Sequence, residues 1–237
     1  NTIYKKVPDS QQDAYFEYIA KTVMDGAFGN MTIDKMVKVA QSIGDLAENR
    51  HFYAYTFHKD EARYFQGAGL AKSAPSSETE PEVGIYINEQ NPSKLGWYID
   101  RTSVVTKTGD KTYHVKYTLT NRLTSAEVAT CTDYILGGVQ HGVSGQPVAA
   151  SGTSAQRVLL YAPAGGRISN ISTTGKVNDQ GNATMDGKSL NYSMAYIAPG
   201  KSVTYEFDVT TSSKAATDLK IDQTPCGKME NAVTYNY

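Results

Sequence analysis

The residue types that could do chemistry in this chain are scattered along it. Gly142-Val143-Ser144-Gly145 approaches the G-x-S-x-G turn that exposes a nucleophilic serine. It lacks the spacing, and it lies in a Gly/Ser-rich stretch instead of between a strand and a helix. The histidines His51, His58, His114 and His141 keep no fixed spacing, so the sequence pairs none of them with a nucleophile or a metal. Asn178, Asp179, Asn182 and Asp186 offer the hard oxygen ligands that suit calcium. Gln180 breaks the EF-hand rhythm, however, and turn formation explains the same residues. Gly165-Gly166 follows Pro163 with no Lys-Ser/Thr after it, which makes it a turn and no phosphate loop. No catalytic residue, metal or cofactor is expected.

Binding residues are a different matter. Lys94, Trp97, Tyr98 and Arg101 fall within eight positions and include the only tryptophan. An exposed aromatic ring flanked by cations stacks on a sugar or pins a partner. The competing expectation is that Trp97 packs one face at a junction while the charges solvate the rim. Cys131 and Cys226 form the one possible disulfide, and bridging a loop that long would stabilise by up to about 4–5 kcal/mol in the chain-entropy model. Two unrelated thiols fit the sequence equally well, and neither CxxC spacing nor clustered His points to zinc. Four N-x-S/T sequons, at Asn30, Asn170, Asn182 and Asn191, mark polar, exposed loops.

These residues must be positioned by two unlike halves. Pro8-Asp9-Ser10 opens a helix in which Tyr15, Ile19 and Val23 recur at four-residue spacing, and Gly26 and Gly29 stop it. Thr32 caps a second helix with a buried stripe of Ile33, Met36, Ala40, Ile43 and Ala47. Residues 51–57 (HFYAYTF) read as a strand buried on both faces, and Asp60 and Glu61 start a third helix. Residues 71–81 are an exposed connector. Residues 82–101 then read as a β-hairpin, with Val83, Ile85 and Ile87 alternating on one arm and Leu95, Trp97 and Ile99 on the other.

From 102 onward the period is two. Tyr113, Val115, Tyr117 and Leu119 share one face, and His114, Lys116, Thr118 and Thr120 share the other. Thr108-Gly109-Asp110-Lys111 and Ala198-Pro199-Gly200-Lys201 are turns. Residues 127–136, 157–162, 203–209 and 233–237 read as strands, and 137–152 and 175–189 as long loops. About seven strands at this spacing describe an immunoglobulin-like sandwich.

The totals narrow the function. The 237 residues suit one large or two modest domains. Basic and acidic residues balance at 23 and 24, which argues against nucleic acid and against a polybasic membrane surface. No apolar run approaches the ~20 residues of a membrane span. The 17 Tyr, with many Thr and Ser, suit solvent-facing sheet outside the cell. The chain opens on Asn1 without a signal peptide, which reads as an excised piece or a mature form.

One stretch carries a family likeness. Asn49-Arg50-His51-Phe52-Tyr53-Ala54-Tyr55-Thr56, with Asp60 and the run Gln66 to Ala71, resembles the "RHLLLWS-D-Q-GLAG" motif of a bacterial surface-protein family known as domain of unknown function 4012. Val83-Gly84-Ile85-Tyr86-Ile87-Asn88, then Ser93-Lys94-Leu95 and Trp97-Tyr98-Ile99-Asp100, resembles its "VGVYLND-SKMDYYLD" signature. Ala198-Pro199-Gly200-Lys201-Ser202 is similar to its "APGES" turn. The likeness spans roughly residues 45–210. It departs at Phe57-His58-Lys59, where the family has Ser-x-Asp-Pro, and in the placement of Trp97. It implies a membrane-anchored, extracytoplasmic protein of high-GC Gram-positive bacteria, of which this chain is the C-terminal part. It implies no activity and no catalytic residue.

The sequence therefore predicts an α+β portion over 1–101 and an immunoglobulin-like antiparallel β-sandwich over 102–237. The expected function is a non-catalytic cell-surface module that contacts an envelope component or glycan, reaching a membrane only through a segment outside this chain. Two alternatives remain open: part of an envelope-polymer transferase whose active residues lie upstream, and a carbohydrate-binding adhesin.

Overall fold

The structure, a computed structural model, describes residues 2–48, 50–71, 74–138, 148–185, 187–226 and 233–237. It is mixed α+β and divides into two compact units, Asn1–Ser73 and Ala74–Tyr237. No described helix is long and apolar enough to cross a membrane.

The first unit is helical: α1 (Thr2–Lys6), α2 (Asp9–Phe28), α3 (Ile33–Glu48) and α4 (Lys59–Gly67). Thr32 caps α3, its Oγ1 accepting from Lys35 N at 3.3 Å. Two expectations fail here. The stripe of α3 is apolar as its spacing requires, but Ile33, Met36 and Ala40 are exposed and only Ala47 is buried. Residues 51–57 form no strand and belong to no sheet, and Tyr55 and Phe57 are 80% and 90% exposed. The physical reason is the same in both places. Period fixes which side chains share a face, and burial needs a second layer, which the described residues of this unit do not supply.

The second unit holds ten strands: β1 (Glu82–Glu89), β2 (Ile99–Gly109), β3 (Thr112–Asn121), β4 (Ser154–Tyr161), β5 (Arg167–Thr174), β6 (Lys176–Met185), β7 (Lys188–Ile197), β8 (Ser202–Thr210), β9 (Lys220–Gln223) and β10 (Val233–Asn236). They form two five-stranded sheets, ordered β6-β7-β4-β1-β9 and β10-β2-β3-β8-β5. One core joins the sheets. Val83, Ile85, Val158, Leu160 and Ala195 from the first meet Val115, Tyr117, Tyr205 and Phe207 from the second. The outer face of the second sheet is a ladder of matched polar pairs, including His114–Asp208, Lys116–Glu206 and Thr118–Thr204.

Several expectations are corrected. The 82–101 hairpin does not exist: β1 pairs antiparallel with β4 and parallel with β9, whereas β2 lies in the other sheet. Alternation holds on the first arm, where Val83 and Ile85 are buried, but it says nothing about which strand pairs with which. On the second arm residues 95–98 form a 3-10 turn that leaves Trp97 exposed between buried Leu95 and Ile99. The division accordingly falls at 73/74 and not at 101, because β1 supplies core residues to the sandwich. The sheets are mixed and not antiparallel throughout, since β1/β9 and β10/β2 are parallel. Residues 127–136 are helical, as α5 (Ser125–Thr130) and α6 (Asp133–Leu136). Thr124 and Glu127 form a complete capping box that starts α5. Most of 175–189 is the β6–β7 hairpin, whose Asn, Asp and Gly residues suit a solvated edge strand.

Candidate functional site

The predicted binding residues sit where β1 crosses to β2. The link ends in a single 3-10 turn, Leu95–Tyr98. With three residues per turn, Leu95 and Tyr98 fall on the same side, and both are buried. Trp97 is thereby turned to solvent, 57% exposed. The short helix α6 repeats the device: Ile135 and Leu136 are buried, and Tyr134 stands out at 56% exposure. Lys94 joins the two segments. Its backbone N–H donates to the Ile135 carbonyl at 3.0 Å, and its Nζ lies 5.1 Å from the Tyr134 ring centroid, within cation–π range. Arg122 donates from Nε to Asp100 at 2.6 Å and from its backbone N–H to the Tyr98 carbonyl at 2.8 Å, which ties β3 to the turn.

The structure thus brings Lys94 together with Tyr134, leaves Trp97 exposed on the adjoining turn, and buries Tyr98 and Arg101 away from them. Tyr98 places its hydroxyl 3.8 Å from Cys131 Sγ. Arg101 points between the sheets, beside Tyr117, and donates from Nη1 to the Thr224 carbonyl at 2.6 Å. Both side chains are buried, so neither belongs to a surface site. Cys131 and Cys226 are both half-buried, with Cys131 against Tyr98 and Cys226 beside Tyr117, which corresponds to the two-thiol alternative.

His114 Nδ1 lies 2.9 Å from Asp208 on the exposed face of the second sheet. Asp179 is occupied by Arg157 at 2.6 Å, and Asn182 accepts from Asn191. His141, Gly142 to Gly145 and Asp186 lie outside the described residues. Among the described residues no three His, Cys, Asp or Glu side chains are grouped to hold a metal.

One half-buried acid went unread in the sequence. Glu89 accepts from Ser154 Oγ at 2.5 Å, Ala155 N–H at 2.8 Å, Gln156 Nε2 at 2.8 Å and Asn91 N–H at 3.1 Å. Burial pushes its carboxyl above the usual range, against the pull of those four donors. Its donors sit on β4 and the crossing segment, so it is a clamp that fixes the crossing rather than a catalytic acid. Comparison with known proteins finds no matching family model and no matching curated protein.

The arrangement can bind. Two aromatic rings and one ammonium lie on short turns that Leu95, Tyr98, Ile135 and Leu136 anchor in the interior. That is pre-organised contact area with little rotamer freedom left to lose.

Proposed function

We propose that this chain is a non-catalytic, extracytoplasmic surface module, with an immunoglobulin-like sandwich that contacts a cell-envelope component. The observation that carries the proposal is the exposed Trp97 ring, three residues along the chain from Lys94, which pairs with the exposed Tyr134 ring. Large aromatics on a rigid frame are what binding surfaces concentrate in their anchors. Balanced charge, sheets rich in Tyr and Thr, and the resemblance to the bacterial surface family support the extracytoplasmic reading. Co-sedimentation of the chain with purified envelope from high-GC Gram-positive bacteria tests it. Trp97→Ala removes an anchor and weakens binding by about 2 kcal/mol. Binding that survives Trp97→Ala and Tyr134→Ala together, or hydrolase or transferase turnover by this chain alone, removes the proposal.

A second reading draws on the first unit. Its largely exposed α3 stripe and the exposed aromatic 51–57 segment fit a piece of a larger α/β domain in an envelope-polymer transferase. Turnover of polyprenyl-linked substrates by the full-length gene product supports it, and inactivity of that product excludes it.

A further inference from the structure

β6 is an edge of the first sheet and β5 an edge of the second. Each edge strand loses register once against its neighbour, β5 between Ser169 and Ser172 and β6 between Asn178 and Gly181. Each irregularity holds a non-glycine residue in the left-handed region, Asn170 at φ 53° and Asp179 at φ 48°. Such backbone is sparsely populated and concentrates near functional sites.

A cavity of about 230 Å³ opens at β6, lined from both sheets. That is below the ~300 Å³ where drug-sized pockets begin, which limits an occupant to about one ring. Leu160 and Ile171 give it an apolar wall. Behind them Ser193 Oγ and Tyr205 Oη lie 2.8 Å apart, both buried. Whichever hydroxyl donates, the other keeps its own O–H for a ligand. Burial pushes the Tyr205 phenol up to about 12, so it holds its proton at neutral pH. The rim carries Gln180, Asn182 and Asn191, whose amides both donate and accept.

On the other face of the sheet Gly181 makes room for Tyr192: a Cβ there would meet the Tyr192 hydroxyl at 2.5 Å. Arg157 stacks 5.7 Å from the Tyr192 ring centroid and pairs with Asp179 at 2.6 Å, so ring and irregularity are held to each other. Among the described residues no charged side chain lines the cavity.

We propose that this inter-sheet cavity is a binding subsite for one ring of a neutral sugar, a hexose or N-acetylhexosamine at the end of a glycan. A pyranose has the matching chemistry, with hydroxyls that donate and accept around its edge and C–H faces that pack on aliphatic and aromatic carbon. An irregularity that only shields a sheet edge needs no hydroxyl pair or amide rim behind it. The site is separate from the Trp97 patch, and neither depends on the other.

The test is titration of the whole chain with methyl glucoside, methyl galactoside, methyl mannoside and N-acetylglucosamine, following backbone amide shifts. At least one sugar, at millimolar concentration, shifts the amides of 180–182 and 191–193 saturably. Asn191→Leu, which puts an apolar side chain in the cavity, weakens that binding at least about tenfold. Asn182→Ala, on the exposed edge, also weakens it and decides the matter if the first variant fails to fold. Trp97→Ala leaves it unchanged. Silence with all four sugars overturns the proposal. So does equal affinity in Asn182→Ala, or a response centred on Trp97 and Tyr134.

Discussion

The two units of this chain obey the same sequence rules and reach opposite outcomes. In residues 74–237, alternation at Tyr113, Val115, Tyr117 and Leu119 meets alternation at Val203, Tyr205, Phe207 and Val209, and all eight side chains are buried. In residues 1–73, helical spacing is equally clear at Ile33, Met36 and Ala40, yet Ala47 is the one buried hydrophobic among the described residues. Period sorts side chains onto faces, and only a second face converts that sorting into stability. The sandwich owns both faces.

The sharpest way to break this contrast is a pair of matched truncations. Phe207→Ala removes a fully buried ring and costs about 3–5 kcal/mol. Phe57→Ala removes a 90% exposed one and changes global stability by no more than about 0.5 kcal/mol. Urea unfolding of the whole chain measures both, and comparable losses would contradict the comparison.

Caps give a smaller effect. Thr124→Ala removes the side-chain arm of the α5 capping box, keeps the backbone N–H that donates to Glu127, and costs about 1 kcal/mol of sandwich stability. Thr32→Ala removes the cap of α3 and lowers helix content by circular dichroism, leaving the sandwich transition where it was. A shared shift of that transition would mean the units unfold together.

The smallest effect is a slope. Burial raises the Glu89 carboxyl, so its contribution is full below the ordinary glutamate value and drains away as pH rises through the folded value. Asp208 is held down by Asn170 and His114, and Asp218 by Lys107 and Tyr113. Their contributions are present above the ordinary aspartate value and are lost as pH falls. Glu89 therefore offsets part of the acid loss. Glu89→Gln removes the offset and steepens the fall in stability between neutral pH and mild acid, measured by urea midpoints across that range. An unchanged slope would show that the clamp does not titrate there.

Much of the sandwich was legible because its inner strands alternate cleanly and its turns carry Gly, Asp and Pro. What escaped was non-local. The partners of β1 lie far along the chain, and Glu89 finds its Ser154 donor 65 residues away, so no window of sequence contains that contact. β6 escaped because a solvated edge strand rich in Asn, Asp and Gly has the composition of a loop. The binding patch was half legible. Trp97 and Lys94 were named, whereas Tyr98 was misplaced because a three-residue turn, not a strand, sets its direction. Tyr134 was missed because 127–136 was read as a strand, although the Thr124–Glu127 spacing announces a helix.

Native-state hydrogen exchange on the whole chain tests the contrast most directly. The account predicts slow amides in β3, β4, β7 and β8, exchanging near the limit set by global unfolding, and amides in α2 and α3 that exchange orders of magnitude faster. Protection in α2 and α3 equal to that of β8 would contradict it.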